Sequence, residues 1–228
     1  MNVVIILSGG IGTRMQISYP KQYILIKNKP IIMYSFERFA QRNDIDAFVV
    51  VVANEWIDFF KSHINHRLVN QPIFYALPGD TRQQSVYNAL KVVDNIKRNN
   101  EDVVIIHDAV RPLVTDEIID RCINGCSTHD GVLPVIKVKD TIYQSKNGAD
   151  ISNLLNRSEL FSGQSPESFL FEKYYRIHNT MSSNEISRVN GSSEIAVQNG
   201  LRMLLVPGDE INFKITTPED IKMFEQFI

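Results

Sequence analysis

Asn2-Val3-Val4-Ile5-Ile6-Leu7 runs directly into Ser8-Gly9-Gly10-Ile11-Gly12-Thr13-Arg14-Met15, an apolar run that ends in a glycine-rich turn. The apolar run shows no alternation. A strand with one wet face alternates, whereas one that is apolar at every position is covered on both faces, as in parallel sheets flanked by helices. Residues 47–53 (Ala-Phe-Val-Val-Val-Val-Ala) and 102–107 (Asp-Val-Val-Ile-Ile-His) repeat the pattern. Between these runs the sequence turns amphipathic, and helices are predicted over about 30–42, 55–66, 81–97 and 115–126. Pro30 suits a first helical turn. Asp80 or Thr81 can cap the third helix, where Val86, Leu90 and Val93 share a face. Thr115-Asp116-Glu117 places carboxylates where the helix dipole favours them. Such alternation implies right-handed crossovers and a doubly wound, mostly parallel, Rossmann-like α/β sheet.

The rhythm falters after residue 136. Residues 137–162 are polar and mixed, and read as a β-hairpin or arm leaving the sheet with Asn147-Gly148 at its turn. Helices near 169–181 and 192–199, a strand at 201–206 and a last helix after Thr217-Pro218-Glu219-Asp220 complete the pattern, with Lys214 on a short strand just before that helix. No repeat or low-complexity segment interrupts it, so one domain spanning 1–228 with a protruding arm is expected.

Composition agrees. The 228 residues, 43% hydrophobic and 22% charged, are those of a globule, and area scaling implies that about 70% of the chain's surface is buried. A net charge of −2 argues against a nucleic-acid binder that relies on bulk positive charge. No apolar run approaches the roughly 20 residues that span a bilayer, and the N-terminus has no basic flank or cleavage site. A soluble cytoplasmic protein is expected, with Cys122 and Cys126 as buried small hydrophobes in a reducing compartment.

A glycine-rich turn at the carboxyl end of the first strand is a phosphate-binding position, because glycines let backbone N–H groups wrap an anion. By itself it serves equally well as a tight turn. The P-loop reading fails because Gly12 is followed by Thr-Arg, and the dinucleotide fingerprint fails because position 15 is Met. Arg14 and Lys21 favour an anion over two solvated surface charges, since cations beside apolar strands are costly without a partner. Asp108, closing the third strand in His107-Asp108-Ala109-Val110-Arg111-Pro112, can hold Mg²⁺ opposite a phosphate loop. His107 could be a base, but a histidine in that place is more often structural. Gly79-Asp80-Thr81-Arg82-Gln83-Gln84-Ser85 offers donors and acceptors for a base or ribose. Spacing alone assigns Lys214 no role.

Together, Gly-Gly-x-Gly-Thr-Arg-Met, Pro20-Lys21-Gln22, Gly-Asp-x-Arg-x-x-Ser, His-Asp-Ala-x-Arg-Pro and Asn-x-Lys-Ile-Thr-x-Pro-Glu-Asp resemble the cytidylyltransferases that act on polyol phosphates. The motifs run in order over essentially the whole chain. Hexose-1-phosphate nucleotidylyltransferases share the first motif but have a longer spacing and Pro-Lys-Pro.

The resemblance implies a nucleotidyltransferase fold and a CTP-dependent enzyme. Arg14, Lys21 and Lys214 would bind CTP phosphates and the pentacovalent transition state. Leu7, Ser8, Gly9, Gly10, Gly12, Thr13, Gly79, Asp80, Arg82, Ser85 and Asp108 would line the CTP site, with Asp108 the Mg²⁺ ligand. Arg111, Thr141, Arg157 and Ser165 would meet the acceptor, and the arm would reach across a homodimer. No nucleic acid or membrane partner is implied. Leu7-Ser8-Gly9-Gly10 and Gly163-Gln164-Ser165-Pro166-Glu167-Ser168-Phe169 resemble the ribitol 5-phosphate branch, which feeds cell-surface polymers such as teichoic acid or capsule. The methylerythritol 4-phosphate branch, which feeds isoprenoid synthesis, usually begins Pro-Ala-Ala-Gly and carries Asp where this chain has Ile211. Both branches commonly open with Thr-Asp the helix that begins here Ser192-Ser193. A non-catalytic nucleotide-binding protein of the same fold is the alternative from another class, and loss of one of Arg14, Lys21, Asp108 or Lys214 would have favoured it.

Overall fold

Strand β1 (Asn2–Leu7) lies at the centre of an eight-stranded sheet. The computed structural model describes residues 1–10, 19–97, 99 and 101–228. Gly12, Thr13 and Arg14, expected at the nucleotide, lie outside the described residues. A hairpin of β2 (Leu25–Ile26) and β3 (Lys29–Pro30) leads into α1 (Ile31–Ala40). The chain then forms β4 (Ala47–Val51), α2 (Asn54–Ser62), β5 (Ile73–Ala76), α3 (Arg82–Asp94), β6 (Val103–Asp108) and α4 (Asp116–Gly125).

β1 pairs in parallel with β4 on one side and β6 on the other, and β5 continues beyond β4. The chain therefore winds outward from β1 in one direction and returns to its opposite edge. That reversal opens a crevice at the carboxyl ends of β1 and β6, the place where open α/β sheets bind ligands. Both faces of β1 are covered. Val4 and Ile6 pack with Phe36 and Phe39 of α1, Phe60 of α2 and Ile119 of α4, while Val3 and Ile5 face Val86, Leu90 and Val93 of α3. Each fully buried side chain of this kind contributes about 1.5–3 kcal/mol relative to exposure. Cys122 and Cys126 are buried, and burial pushes both thiols up, so they behave as small hydrophobes.

The second half departs from the simple alternation. β7 (Gly131–Lys137) leads to an arm in which β8 (Tyr143–Gln144) pairs with β9 (Asn153–Leu154). Gly148 takes φ +78° in the intervening loop, where Asn147 Oδ1 accepts from the N–H groups of Ala149 and Asp150. The chain returns through β10 (Phe161–Gly163) and β11 (Glu167–Leu170), both antiparallel to β7. β11 also pairs with β6, so it is inserted antiparallel between β6 and β7. The predicted helix at 169–181 begins later, as α5 (Phe171–Thr180), because its expected first turn belongs to this strand. Next come α6 (Ser183–Ser187), α7 (Ser192–Gln198), β12 (Met203–Pro207) and α8 (Pro218–Glu225). α5 and α7 add Phe171, Tyr174, Ile195 and Ala196 to the α3 side of the sheet. Among the described residues, no helix is long and apolar enough to cross a membrane.

Gly9 is dictated by close approach. A Cβ on Gly9 would lie 2.4 Å from Cβ of Pro78, whereas one on Gly10 would meet nothing within 4 Å. Gly9→Ala is therefore expected to cost about 1–3 kcal/mol, the range for overpacking. Gly10→Ala should leave the urea midpoint nearly unchanged. Equal midpoints for the two variants would contradict this packing.

Candidate active site

Ser8 and Gly10, just beyond β1, are held from three sides. Ser8 donates from its N–H (3.0 Å) and its hydroxyl (2.6 Å) to the carbonyl of Val51 at the end of β4. Gln22, 3% exposed, reaches back from the Lys21–Tyr23 turn and donates to the carbonyls of Ser8 and Gly10, the latter at 2.9 Å. The Tyr23 hydroxyl is 3.3 Å from Ser8 Oγ, and burial holds its pKa up at about 12, so it stays a donor. Trp56 stacks on Tyr23 with centroids 4.6 Å apart and on Tyr19 at 6.1 Å. The polar groups of Gln22 and Tyr23 serve the turn itself, and Lys21 precedes them on the same rigid segment.

Across the crevice, Asp108 closes β6 with its side chain 11% exposed. Its Oδ2 accepts from Lys214 Nζ at 2.8 Å, and its Oδ1 accepts from Arg82 Nε at 3.2 Å. Arg82 is the first residue of α3, whose capping box joins Thr81 to Gln84. Lys214 lies in the loop before α8 and not on the expected short strand. The loop is fixed instead by single bonds: Asn212 Nδ2 donates to the carbonyl of Ser165 (2.8 Å), and Ile215 N–H donates to that of Val110 (2.8 Å). Arg111 donates to the carbonyl of Asn212 at 2.6 Å.

Glu167, at the start of β11, completes the group. Its Oε1 accepts from Arg82 Nη2 at 3.2 Å. Three cations thus face two carboxylates in a cleft of about 310 Å³ lined by Arg82, Asp108, Arg111, Gln164, Ser165, Glu167, Ser193 and Lys214. Burial alone would raise the Asp108 carboxyl, but Arg82, Lys214 and Arg111 hold it well below the usual carboxylate range. Burial likewise works against Arg82, yet Asp108 and Glu167 keep its pKa above the ordinary value. Burial lowers that of Arg111 despite the nearby Asp108. A crevice with fixed charges and an excess of cations suits a polyanion. A second cleft, of about 400 Å³, is lined by Arg38, Arg42, Asp44 and Asp116, which pair with one another and leave no comparable excess.

His107 is committed to structure. A carbonyl only accepts, so Nε2 must carry the proton donated to the Arg111 carbonyl at 3.0 Å, leaving Nδ1 to accept from Ser165 Oγ at 3.4 Å. Burial lowers its pKa to about 4. The Ser165 hydroxyl also accepts from the Asp108 N–H at 3.1 Å, which couples that segment to the carboxylate.

The structure thus brings Arg82, Asp108, Arg111, Ser165 and Lys214 together. Leu7, Ser8, Gly9 and Gly10 lie at the same strand ends. The Gly79–Ser85 turn closes on itself, with Gly79 N–H donating to Ser85 Oγ at 3.0 Å, and Asp80 is exposed. Thr141 and Arg157 are exposed on the arm and are not among the residues lining the cleft, and Arg157 donates to the Lys139 carbonyl at 2.6 Å. Sequence reasoning missed Glu167, Ser192, Asn212 and Gln164. In the sequence Gln164 and Glu167 are only marks of a branch, since nothing local ties a carboxylate to an arginine 85 positions away.

Comparison with known proteins gives one consistent result. The sequence profile described as IspD, 2-C-methyl-D-erythritol 4-phosphate cytidylyltransferase, matches residues 2–228. A ribitol-5-phosphate cytidylyltransferase of Vibrio parahaemolyticus serotype O3:K6 is 34% identical over 231 residues, covering 100% of this chain and 96% of that one. One from Lactiplantibacillus plantarum is 32% identical, covering 96% and 94%. The crystal structure of 2-C-methyl-D-erythritol 4-phosphate cytidylyltransferase from Francisella tularensis superposes with a TM-score of 0.79 at 27% identity, covering 100% and 99%. The 4-diphosphocytidyl-2C-methyl-D-erythritol synthase of Anaerococcus prevotii shares the fold with a TM-score of 0.82 at 22% identity, covering 99% and 95%.

The buried His107 has a consequence for acid stability. Its pKa is about 4 folded against 6.5 for the free group, so above pH 6.5 it is neutral in both states and silent. As pH falls from 6.5 to about 4 the unfolded chain gains a proton the folded chain refuses, and stability is lost, roughly 3 kcal/mol for a shift of this size. His107→Gln is expected to flatten the fall in unfolding free energy between pH 6.5 and 4, measured by urea titration. An unchanged slope would show that His107 titrates normally.

Proposed function

The chain belongs to the 2-C-methyl-D-erythritol 4-phosphate cytidylyltransferase (IspD) family and is a nucleotidyltransferase that uses CTP, and from that premise we propose that its acceptor is D-ribitol 5-phosphate, with CDP-ribitol and pyrophosphate as products. The observation that carries the catalytic reading is the Asp108 carboxylate set between Arg82 and Lys214, with Arg111 beside it, at the carboxyl ends of β1 and β6. The acceptor rests on the two full-length relatives that bear that name. Methylerythritol 4-phosphate is the second reading, favoured by the name of the family and by the solved structures.

The mechanism follows from charge. A phosphate monoester loses its second proton near pH 6, so the acceptor's phosphate oxygen is already a nucleophile and no general base is needed. This agrees with a His107 whose two nitrogens are occupied. The oxygen attacks the α-phosphorus of CTP and pyrophosphate leaves in line. The barrier is repulsion between anions and charge growth at phosphorus, so the protein's part is positioning and electrostatic stabilisation. Lys214 and Arg82 each hold Asp108 with a donor that can transfer to a phosphate oxygen when the substrate enters. Lys21 and Arg14 would meet the triphosphate from the glycine-rich side.

Cytidylyltransferases of this type depend on a divalent metal, and Asp108 fits Mg²⁺ as an anchor. It offers a single carboxylate, and among the described residues no group of three or more His, Cys, Asp or Glu could hold an ion. Mg²⁺ takes one or two carboxylates and completes its shell with water and phosphate. Bound there, it would neutralise charge on the transferring phosphate. CTP as donor argues for a cytoplasmic site of action.

The arm carries Thr141 and Arg157 together with exposed Tyr143, Ile151 and Leu154, apolar surface that suits a twofold partner. In a homodimer the arm of one chain would deliver Arg157 to the partner's acceptor phosphate.

Pyrophosphate release with CTP and a panel of ribitol 5-phosphate, methylerythritol 4-phosphate and a hexose 1-phosphate tests the reading. Ribitol 5-phosphate is expected to give the highest kcat/KM, and preference for another acceptor would reassign the enzyme.

Mixing variants tests the arm. Lys21→Ala should lower kcat about 10²-fold or more, while Arg157→Ala should raise the acceptor KM far more than that for CTP. Mixed dimers of the two should regain activity, because one site keeps both residues. A monomeric protein, or exchange of subunits without recovery, would show that the arm serves its own chain.

A further inference from the structure

Glu167, its side chain 9% exposed against 11% for Asp108, lies in the same cleft and has no part in the reaction as described. Its two oxygens are used separately. Oε2 accepts from the N–H (2.9 Å) and the hydroxyl (2.6 Å) of Ser193, in the first turn of α7. The N-cap of that helix is Gly191, which has no side chain to cap it, so the carboxylate from β11 supplies the acceptor and places its charge where the helix dipole favours it. Oε1 holds Arg82 Nη2 at 3.2 Å, while Ser192 Oγ accepts from Nη1 at 2.7 Å. The guanidinium is thus held at both outer nitrogens by groups other than Asp108. It meets Asp108 only at Oδ1, through Nε and Nη2 at 3.2 Å, and Oδ2 is left to Lys214.

Resting on the cytidylyltransferase reading, we propose that Glu167 is a positioning residue that restrains Arg82 to one oxygen of Asp108, keeping the other for Lys214. The physical argument is competition. An arginine fork and a carboxylate match in a two-bond, side-by-side pair, and that pair is the stronger arrangement when nothing else holds the fork. Without the Glu167 charge, Asp108 is the only carboxylate among the described residues that is bonded to Arg82. The fork then closes over both oxygens and displaces Lys214, so neither cation is aimed at the incoming phosphates. Misplacement on this scale costs about tenfold or more in turnover. Removing one negative charge from the cleft does not weaken capture of an anionic nucleotide. The expected signature is a fall in kcat with no rise in the KM for CTP, whereas general disruption of the site raises KM as well.

The contact with Ser193 allows a charge-swap test. Ser193 Oγ lies against Glu167 Oε2, so Ser193→Asp delivers a carboxylate to nearly the same place from the helix side. With Glu167 present two carboxylates collide, and one must take up a proton or move away. With Glu167→Gln the new carboxylate replaces the lost one. Glu167→Gln and Ser193→Asp should each lower kcat about tenfold, and the double variant should recover most of it, so the effect of Ser193→Asp reverses sign with the residue at 167. A readout independent of turnover is the Nε–H resonance of Arg82 in the ligand-free, full-length protein, assigned by its loss in Arg82→Lys. It should shift in Glu167→Gln and return in the double variant. Wild-type kcat in Glu167→Gln, a rise in KM for CTP equal to the fall in kcat, or an Arg82 resonance that ignores the charge at 167 would each overturn the proposal. A wild-type protein that turns over none of the acceptors overturns the cytidylyltransferase reading instead, and the resonance still decides the role of Glu167.

Discussion

A buried carboxylate must be matched by cations or it cannot stay ionised. In this protein the carboxylate is Asp108, and the arrangement of the cleft follows from matching it. Lys214 comes from a loop 106 positions further along the chain, and Arg82 from the start of a helix 26 positions before it. Arg82 in turn engages Glu167 and Ser192, which ties β11 and α7 to the same point. Ser165 secures the Asp108 backbone, and His107 secures Ser165. Elements that share no sequence neighbourhood are joined by one charge.

The scaffold earns its rigidity elsewhere. β1 and β6 are apolar through Val3–Ile6 and Val103–Ile106 and pack on both faces, so their carboxyl ends form a fixed edge. Just beyond β1, Ser8 bonds the Val51 carbonyl, and Gln22 and Tyr23 bond Ser8 and Gly10. In the cleft, Arg82, Arg111 and Lys214 outnumber the carboxylates of Asp108 and Glu167, which suits phosphates that bring acceptors and no donors. The proposed reaction needs no base for the same reason: the nucleophile would arrive ionised, and the protein would have only to offset repulsion.

Much of this could be read from the residues. Continuous apolar runs predicted β1, β4 and β6 to within two residues, because burial on both faces leaves no other pattern for a short strand. α1 and α2 followed from amphipathic stretches between the strands, and α3 and α4 also from their capping residues Thr81 and Thr115. The turn of the arm followed from Asn147-Gly148, where a positive φ is required. Asp108 stood out as a carboxylate closing an apolar strand, and the motif resemblance added Lys214, which meets Asp108 as an ion pair in the folded chain.

What the residues alone could not decide was pairing across the chain. β11 is a four-residue strand, Glu-Ser-Phe-Leu, with no readable period, and its antiparallel place between β6 and β7 is set by its neighbours. Lys214 needed no strand to be fixed, since bonds made by Asn212 and Ile215 hold its loop. Glu167 looked like part of a branch signature until folding placed it against Arg82 and Ser193. Local pattern follows from burial and backbone geometry, which act over a few residues and leave their mark in sequence. The partners of a charge are fixed by distances in space, and only the tertiary structure brings residues 82, 108, 167, 193 and 214 within reach of one another.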